Sequence, residues 1–152
     1  MRKFLFLFVY CLLISFPDAY SRDSDLDSLV LNAVETGDKL AIHDFLDKGI
    51  DINAYYGANK LALIAVSIVS GQTAITELLI QQGADIEQIS DRKTPLMFAA
   101  KYNRAKVVPM LISEGANINS INKVRMSALH YAARYGHLEP VSYTHPSPRD
   151  RS

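Results

Sequence analysis

The stretch Ser127–His137, SALHYAARYGH, places two histidines, His130 and His137, seven residues apart. Seven residues make about two turns of an α-helix, so imidazoles at that spacing could share a face, ligate a metal or relay a proton. Gly136 directly precedes His137, however, and glycine is where helices commonly stop. The two rings are therefore not expected on one continuous face. His43 and His145 add no ligand spacing, the aspartates and glutamates form no recognisable pair, and no zinc-protease, nucleophile-elbow or phosphate-loop motif occurs. No catalytic residue, metal site or cofactor is expected, and the chain is read as non-enzymatic.

The elements that hold these histidines must come from a chain of 152 residues, a length that fits one domain with a real core. Apolar residues make up 49% and charged residues 21%, ordinary for a soluble globular protein. Lys plus Arg (16) equals Asp plus Glu (16), so no net field draws the chain to nucleic acid or membrane.

The first residues differ in kind. MRKFLFLFVYCLLISFPDAYS opens with Arg2 and Lys3, continues through an apolar run from Phe4 to Ile14, and ends in Ser15, Pro17, Ala19 and Ser21. That is the three-part layout of a secretory signal peptide, residues 1–21, with cleavage expected after Ser21. The run falls short of the roughly 20 residues a spanning helix needs; an uncleaved anchor holding a membrane-tethered scaffold is the alternative. Cleavage removes Cys11, the single cysteine, and leaves the mature chain without thiol or disulfide chemistry. It also removes two positive charges and one negative, leaving a net charge of −1.

The rest of the chain repeats itself. KGIDIN (48–53), QGADIE (82–87) and EGANIN (114–119) echo one another, with Gly49, Gly83 and Gly115 spaced by 34 and 32 residues. A second set runs in step: LVLNAVETGD (29–38), LALIAVSIVSGQ (61–72), TPLMFAAKYNR (94–104) and SALHYAARYGH (127–137). A period near 33 narrows the architecture to helical repeats. Within one unit, Thr94 and Pro95 suit a helix start, and Leu96, Ala99 and Ala100 give a narrow apolar face. A second helix carries Val107, Val108, Leu111 and Ile112 and ends at Gly115. One helix pair cannot bury both its faces; stacked neighbours can.

TPLMFAA, SALHYAARYGH and EGANIN resemble the ankyrin repeat. The resemblance covers about Asp25 to Val141, with repeats at 25–53, 54–87 and 88–120 and a partial fourth from 121; the domain is set at 25–139. It implies an all-α solenoid of stacked helix-turn-helix units with protruding loops. It also implies that His130 and His137 are structural, hydrogen-bonding to backbone in turns.

Three departures carry expectations. In repeat two Leu61 stands where the capping threonine belongs, which predicts an inner helix one residue too long, with a local bulge, and a tightened loop after Gly83. Pro109 inside an outer helix predicts a kink near Val108. After Glu139 the run PVSYTHPSPRDRS (140–152) has three prolines and no apolar periodicity. It reads as a non-repeat tail and resembles translated sequencing-adaptor sequence, so a truncated chain is the expectation. Further repeats, or an effector or enzyme domain, would then belong to the full protein.

Ankyrin-like stacks bind other proteins through loop tips and a concave face. By position in the repeat, the tips carry Tyr55, Tyr56, Asn59, Lys60, Asp91, Arg92, Lys93, Lys123 and Arg125. The inner-helix positions that face the groove are Ile68, Val69, Lys101, Tyr102, Arg134 and Tyr135. Tyrosine and arginine dominate interface energies. The expected function is an exported protein–protein interaction module, secreted or periplasmic in a bacterial setting. Its basic, tyrosine-bearing groove takes a protein with an acidic surface, and neither nucleic acid nor, once the signal is cleaved, membrane.

Overall fold

The computed structural model describes residues 19–137, with side chains described from Asp25 onward. The expected signal peptide up to residue 18 and the tail 140–152 lie outside the described residues, and the expected cleavage point falls within the first helix. Seven helices are described: α1 (Ala19–Thr36), α2 (Lys39–Asp47), α3 (Leu63–Ser70), α4 (Thr73–Gln81), α5 (Pro95–Lys101), α6 (Val107–Ser113) and α7 (Ala128–Tyr135). The order alternates inner (α1, α3, α5, α7) and outer (α2, α4, α6) helices. Seven helices and few strands fit the expected all-α repeat fold. Strands β1 (Tyr55–Tyr56) and β2 (Leu61–Ala62) form an antiparallel hairpin, and a single bridge joins Ser90 to Lys93.

Each inner helix closes on the same device. Gly37, Gly71, Asn103 and Gly136 all take positive φ, and the next residue's N–H reaches back to the helix. Asp38, Gln72, Arg104 and His137 donate to the carbonyls of Ala33, Ser67, Ala99 and Ala132 at 2.8–2.9 Å. This wide-turn C-cap needs a left-handed residue, which glycine supplies most cheaply. Outer helices end alike, with Gly49, Gly83 and Gly115 left-handed. The loops that follow are pinned by side chains: Asp51, Asp85 and Asn117 each accept from the N–H two residues on, at 2.8–3.0 Å.

Helix starts vary more. Asp38 caps α2, Thr94 caps α5 ahead of Pro95, and Ser127 caps α7 in a reciprocal box with His130, whose Nδ1 accepts from the Ser127 N–H at 3.2 Å. Helix α3 has Ala62 at its cap position and no side-chain cap. Its Ala62 N–H instead donates to Ser90 Oγ of the following repeat at 2.9 Å.

That cap position corrects the expected over-long helix and its bulge, while the expected tightening after Gly83 is present as a two-residue turn. With Ala62, not Leu61, opening α3, the nine positions from cap to left-handed residue are the same as from Thr94 to Asn103 and from Ser127 to Gly136. The helix is regular and no bulge is needed. The repeats differ in their hairpins instead. Four residues (57–60) link Tyr56 to Leu61, two (91–92) link Ser90 to Lys93, and three (123–125) link Asn122 to Met126. The two-residue turn has both Asp91 and Arg92 at positive φ, 44° and 60°, the twist a tight hairpin requires. Pro109 falls in the first turn of α6 rather than in its interior. Lacking an N–H for the Ala105 carbonyl, it delays the start of α6 to Val107 and sits where no donor is missed.

The core is one continuous cluster from Val30 to Ala132. Helix α3, buried from Leu63 through Ile68, lies at its centre, with α1 on one side and α5 on the other. Two polar groups drawn in satisfy each other: fully buried Ser67 Oγ and Thr76 Oγ1 meet at 2.9 Å, and each also bonds a carbonyl one turn back, whereas the buried Gln88 Oε1 has no hydrogen-bond partner among the described residues.

Gly71 has two duties, since a Cβ there would sit 3.0 Å from the Arg104 guanidinium, whereas one at Gly83 would meet nothing within 4 Å. Gly83→Ala should cost the left-handed strain alone, about 1 kcal/mol. Gly71→Ala should cost about 1–2 kcal/mol more by displacing Arg104. Denaturant unfolding of the two variants side by side checks the order.

Candidate functional site

The residues after the left-handed caps do a second job. Gln72 Nε2 donates to Glu35 O at 2.8 Å. Arg104 Nε and Nη2 donate to Ile68 O and Val69 O at 2.8 and 2.6 Å. His137 Nε2 lies 3.0 Å from Lys101 O. In each case a side chain satisfies the carbonyl end of the preceding repeat's inner helix. His137 is thus structural, as is His130 in its capping box. Gln72 and Arg104 hold the same slot, which an alignment on Gly71, Asn103 and Gly136 would have revealed. Among the described residues, no three His, Cys, Asp or Glu side chains converge to hold a metal ion.

Against this frame Lys101, Tyr102 and Tyr135 come together. Lys101 Nζ donates to Tyr102 Oη at 3.2 Å and lies 4.7 Å from the centre of the Tyr102 ring and 5.9 Å from that of Tyr135. Burial pulls the Lys101 ammonium toward neutrality, but the Tyr102 hydrogen bond, with Tyr135 and Asp91 nearby, leaves its pKa above the ordinary value. The file of rings extends both ways. Tyr102 stacks on Phe98 (6.4 Å), Lys93 Nζ stands 5.5 Å from the Phe98 centroid, and Tyr135 stacks on His137 (6.3 Å). His137 is a member that sequence reasoning did not place beside the groove, and Phe98 backs the file from the core, 3% exposed.

Other expected residues lie elsewhere. Tyr56 is a correction: it is 6% exposed, in the core, its hydroxyl donating to Asp51 O at 2.5 Å. Tyr55, its neighbour, faces out, its hydroxyl donating to Ile89 O at 2.9 Å. Lys93 is no free cation. It pairs with Asp91 at 2.5 Å with its side chain 11% exposed, and that hydrogen bond holds the Asp91 carboxyl below the usual range. Ile68 is fully buried, and Val69 is half-buried. Asn59, Lys60, Arg92, Lys123 and Arg125 are exposed on the hairpin tips. Arg134 is exposed beside it, with only a long 4.0 Å contact to Met126 Sδ. Between repeats one and two the same face has an apolar cleft of about 220 Å³, floored by Leu31, Tyr56, Leu61, Val66 and Val69.

The repeating helix pairs, turn caps and hairpins define a helical-repeat protein, and the comparisons with known proteins say which. The family model for ankyrin repeats (3 copies) matches residues 29–122 and 63–143; the chain belongs to the ankyrin-repeat family. It is 35% identical over 129 residues to alpha-latroinsectotoxin-Lt1a of Latrodectus tredecimguttatus, covering 84% of this chain and 8% of the toxin. It is 40% identical over 85 residues to the putative E3 ubiquitin-protein ligase XBAT31 of Arabidopsis thaliana, covering 55% of this chain and 19% of that one. With ankyrin repeat protein nuc-2 of Neurospora crassa it shares 33% over 138 residues, 85% of this chain and 12% of the relative. The chain thus spans less than a fifth of each of these relatives. Ankyrin repeats make it a protein–protein interaction module, in a family generally without enzymatic activity.

Burial, with Asp51 and Asp27 adding to it, pushes the Tyr56 phenol up to about 12 from 10.0. A raised folded pKa means stability is intact below pH 10 and is lost as pH rises toward 12. Tyr56→Phe should lose about 1 kcal/mol at neutral pH with its hydrogen bond. From pH 10 to 12 it should decline by about 2 kcal/mol less than the parent. Urea unfolding at stepped pH measures the difference.

Proposed function

We propose that the repeats stack as a solenoid whose ring-and-cation file, centred on Lys101, binds an acidic surface of a partner protein. The observation that carries this is the convergence of Lys101, Tyr102 and Tyr135 from successive repeats. An ammonium shared by two tyrosines keeps its charge, and the rings present flat, rigid area at low entropic cost. Arg134, exposed and unoccupied by any acid among the described residues, adds a second cation at the rim. The apolar cleft between repeats one and two would take an aliphatic side chain of the same partner. The charge that reads the partner lies at one end of this face and the apolar contact at the other, which fixes the direction in which it docks.

Export completes the proposal. The basic start, apolar run and small residues of the first 21 positions support removal of a signal peptide and a secreted or periplasmic mature chain.

Two measurements test these readings. A partner captured by the parent chain, then identified and purified, should bind Lys101→Glu/Arg134→Glu at least about ten-fold more weakly with no change in the far-UV circular dichroism spectrum. Unchanged affinity rules the groove out. Amino-terminal sequencing of protein recovered from expressing cells should begin at Arg22; a chain beginning at Met1 speaks against cleavage.

A further inference from the structure

The hairpins have a second face. Along a strand, side chains alternate, so while Tyr56 and Leu61 turn toward the cleft, Tyr55 turns away from it. Its equivalents in the next two hairpins are Ile89 and Ile121, each one position before the closing residue, Ser90 or Asn122. All three are exposed, 47%, 61% and 58%. Single exposed apolar residues are normal; the same position exposed and apolar in three successive units makes a stripe. The Tyr55 hydroxyl on the Ile89 carbonyl shows that the hairpins are adjacent.

A row of cations runs beside the stripe. The last loop residue of each hairpin is Lys60, Arg92 or Arg125, and all three hold positive φ, 48°, 60° and 59°. Glycine or asparagine would take that conformation at less strain, yet each unit carries a long basic side chain. All three are exposed, and none forms a close ion pair among the described residues: Arg92 acts on the neighbouring Asp91 only through space, and that carboxylate is paired with Lys93.

We propose that this face docks an acidic amphipathic helix of a partner protein, lying across the hairpins with its apolar side on Tyr55, Ile89 and Ile121 and its carboxylates on Lys60, Arg92 and Arg125. Charge complementarity selects the acid, and spacing selects the helix. Inner helices packed side by side, at an interaxial distance of about 10 Å, set the units they carry about 10 Å apart. A helix advances about 10.5 Å in seven residues and returns to nearly the same face, drifting only about 20°. An extended β-segment covers the same distance in about three residues, which turns alternate side chains away. The inference rests on the chain being a binding module but puts the contact on the hairpins rather than on the Lys101 ring file.

The test uses the full chain and a fluorescein-labelled 21-residue helical peptide, with leucine at positions 3, 10 and 17 and glutamate on the adjoining face. Its controls are a scrambled peptide of the same composition and a proline-interrupted version. Fluorescence anisotropy should show the patterned peptide binding at least ten-fold more tightly than both. Ile89→Asp and Arg92→Gly should each weaken it about ten-fold, while Lys101→Glu/Arg134→Glu leaves it unchanged. Arg92→Gly keeps the turn, so its loss cannot be ascribed to misfolding. Absence of binding, or equal binding of the scrambled peptide, overturns the proposal, and equal binding of the proline version overturns the helix. Loss in the Lys101 variant with no loss at Ile89 moves the peptide into the groove, overturning this inference while leaving that of the groove standing.

Discussion

Three of the inner helices, α1, α3 and α5, end in carbonyls that the following repeat reaches. Such groups, left bare in a packed interior, cost more than a good hydrogen bond returns. The following repeat supplies the donors: an amide from Gln72, a guanidinium from Arg104, an imidazole from His137. Three different chemistries fill one slot because the slot asks only for an N–H at the right reach. The left-handed residue before it places the slot, the slot fixes how closely one inner helix approaches the next, and the alanine-rich faces between them fill in accordingly. The loops add a second tie, with Asn53 and Glu87 accepting from the Asp85 and Asn117 N–H groups of the repeats that follow.

The proposed binding face is a by-product of that register. Lys101 and Tyr135 are 34 residues apart in sequence yet meet because the repeats bring equivalent helix ends side by side. His137 serves both purposes: it caps Lys101's own carbonyl and stacks under Tyr135. A residue that positions the frame is thus also part of the surface the frame presents, and substitution there cannot separate the two.

Much of this was legible because it is periodic. The glycines at helix ends, the Thr-Pro and Ser starts and the Asp and Asn turns mark the repeat by local chemistry, and their spacing is visible in the chain. What escaped notice lacks a local mark. The start of α3 was misread by one residue because its cap is the Ser90 hydroxyl of the next repeat, not a side chain of its own. Tyr55 and Tyr56 are identical in type, and only the two-residue strand decides which is buried. Lys93 reads as a surface cation until the tight turn folds Asp91 onto it. In each case the deciding contact lies across a turn or between repeats, where neighbouring letters say nothing of it.

The direction of these ties has a consequence for how the chain is made. Gln72, Arg104 and His137 all reach backward, from a later repeat to an earlier one, and so does the Ser90 hydroxyl that caps α3. A polypeptide leaving the ribosome amino end first exposes each inner helix before the residue that completes it has been synthesised. Every repeat waits unfinished for roughly the length of the next, and the growing end is always the least secured part of the molecule. Translation speed across Gln72, Arg104 and His137 therefore sets how long each unsealed helix end stays within reach of chaperones and proteases.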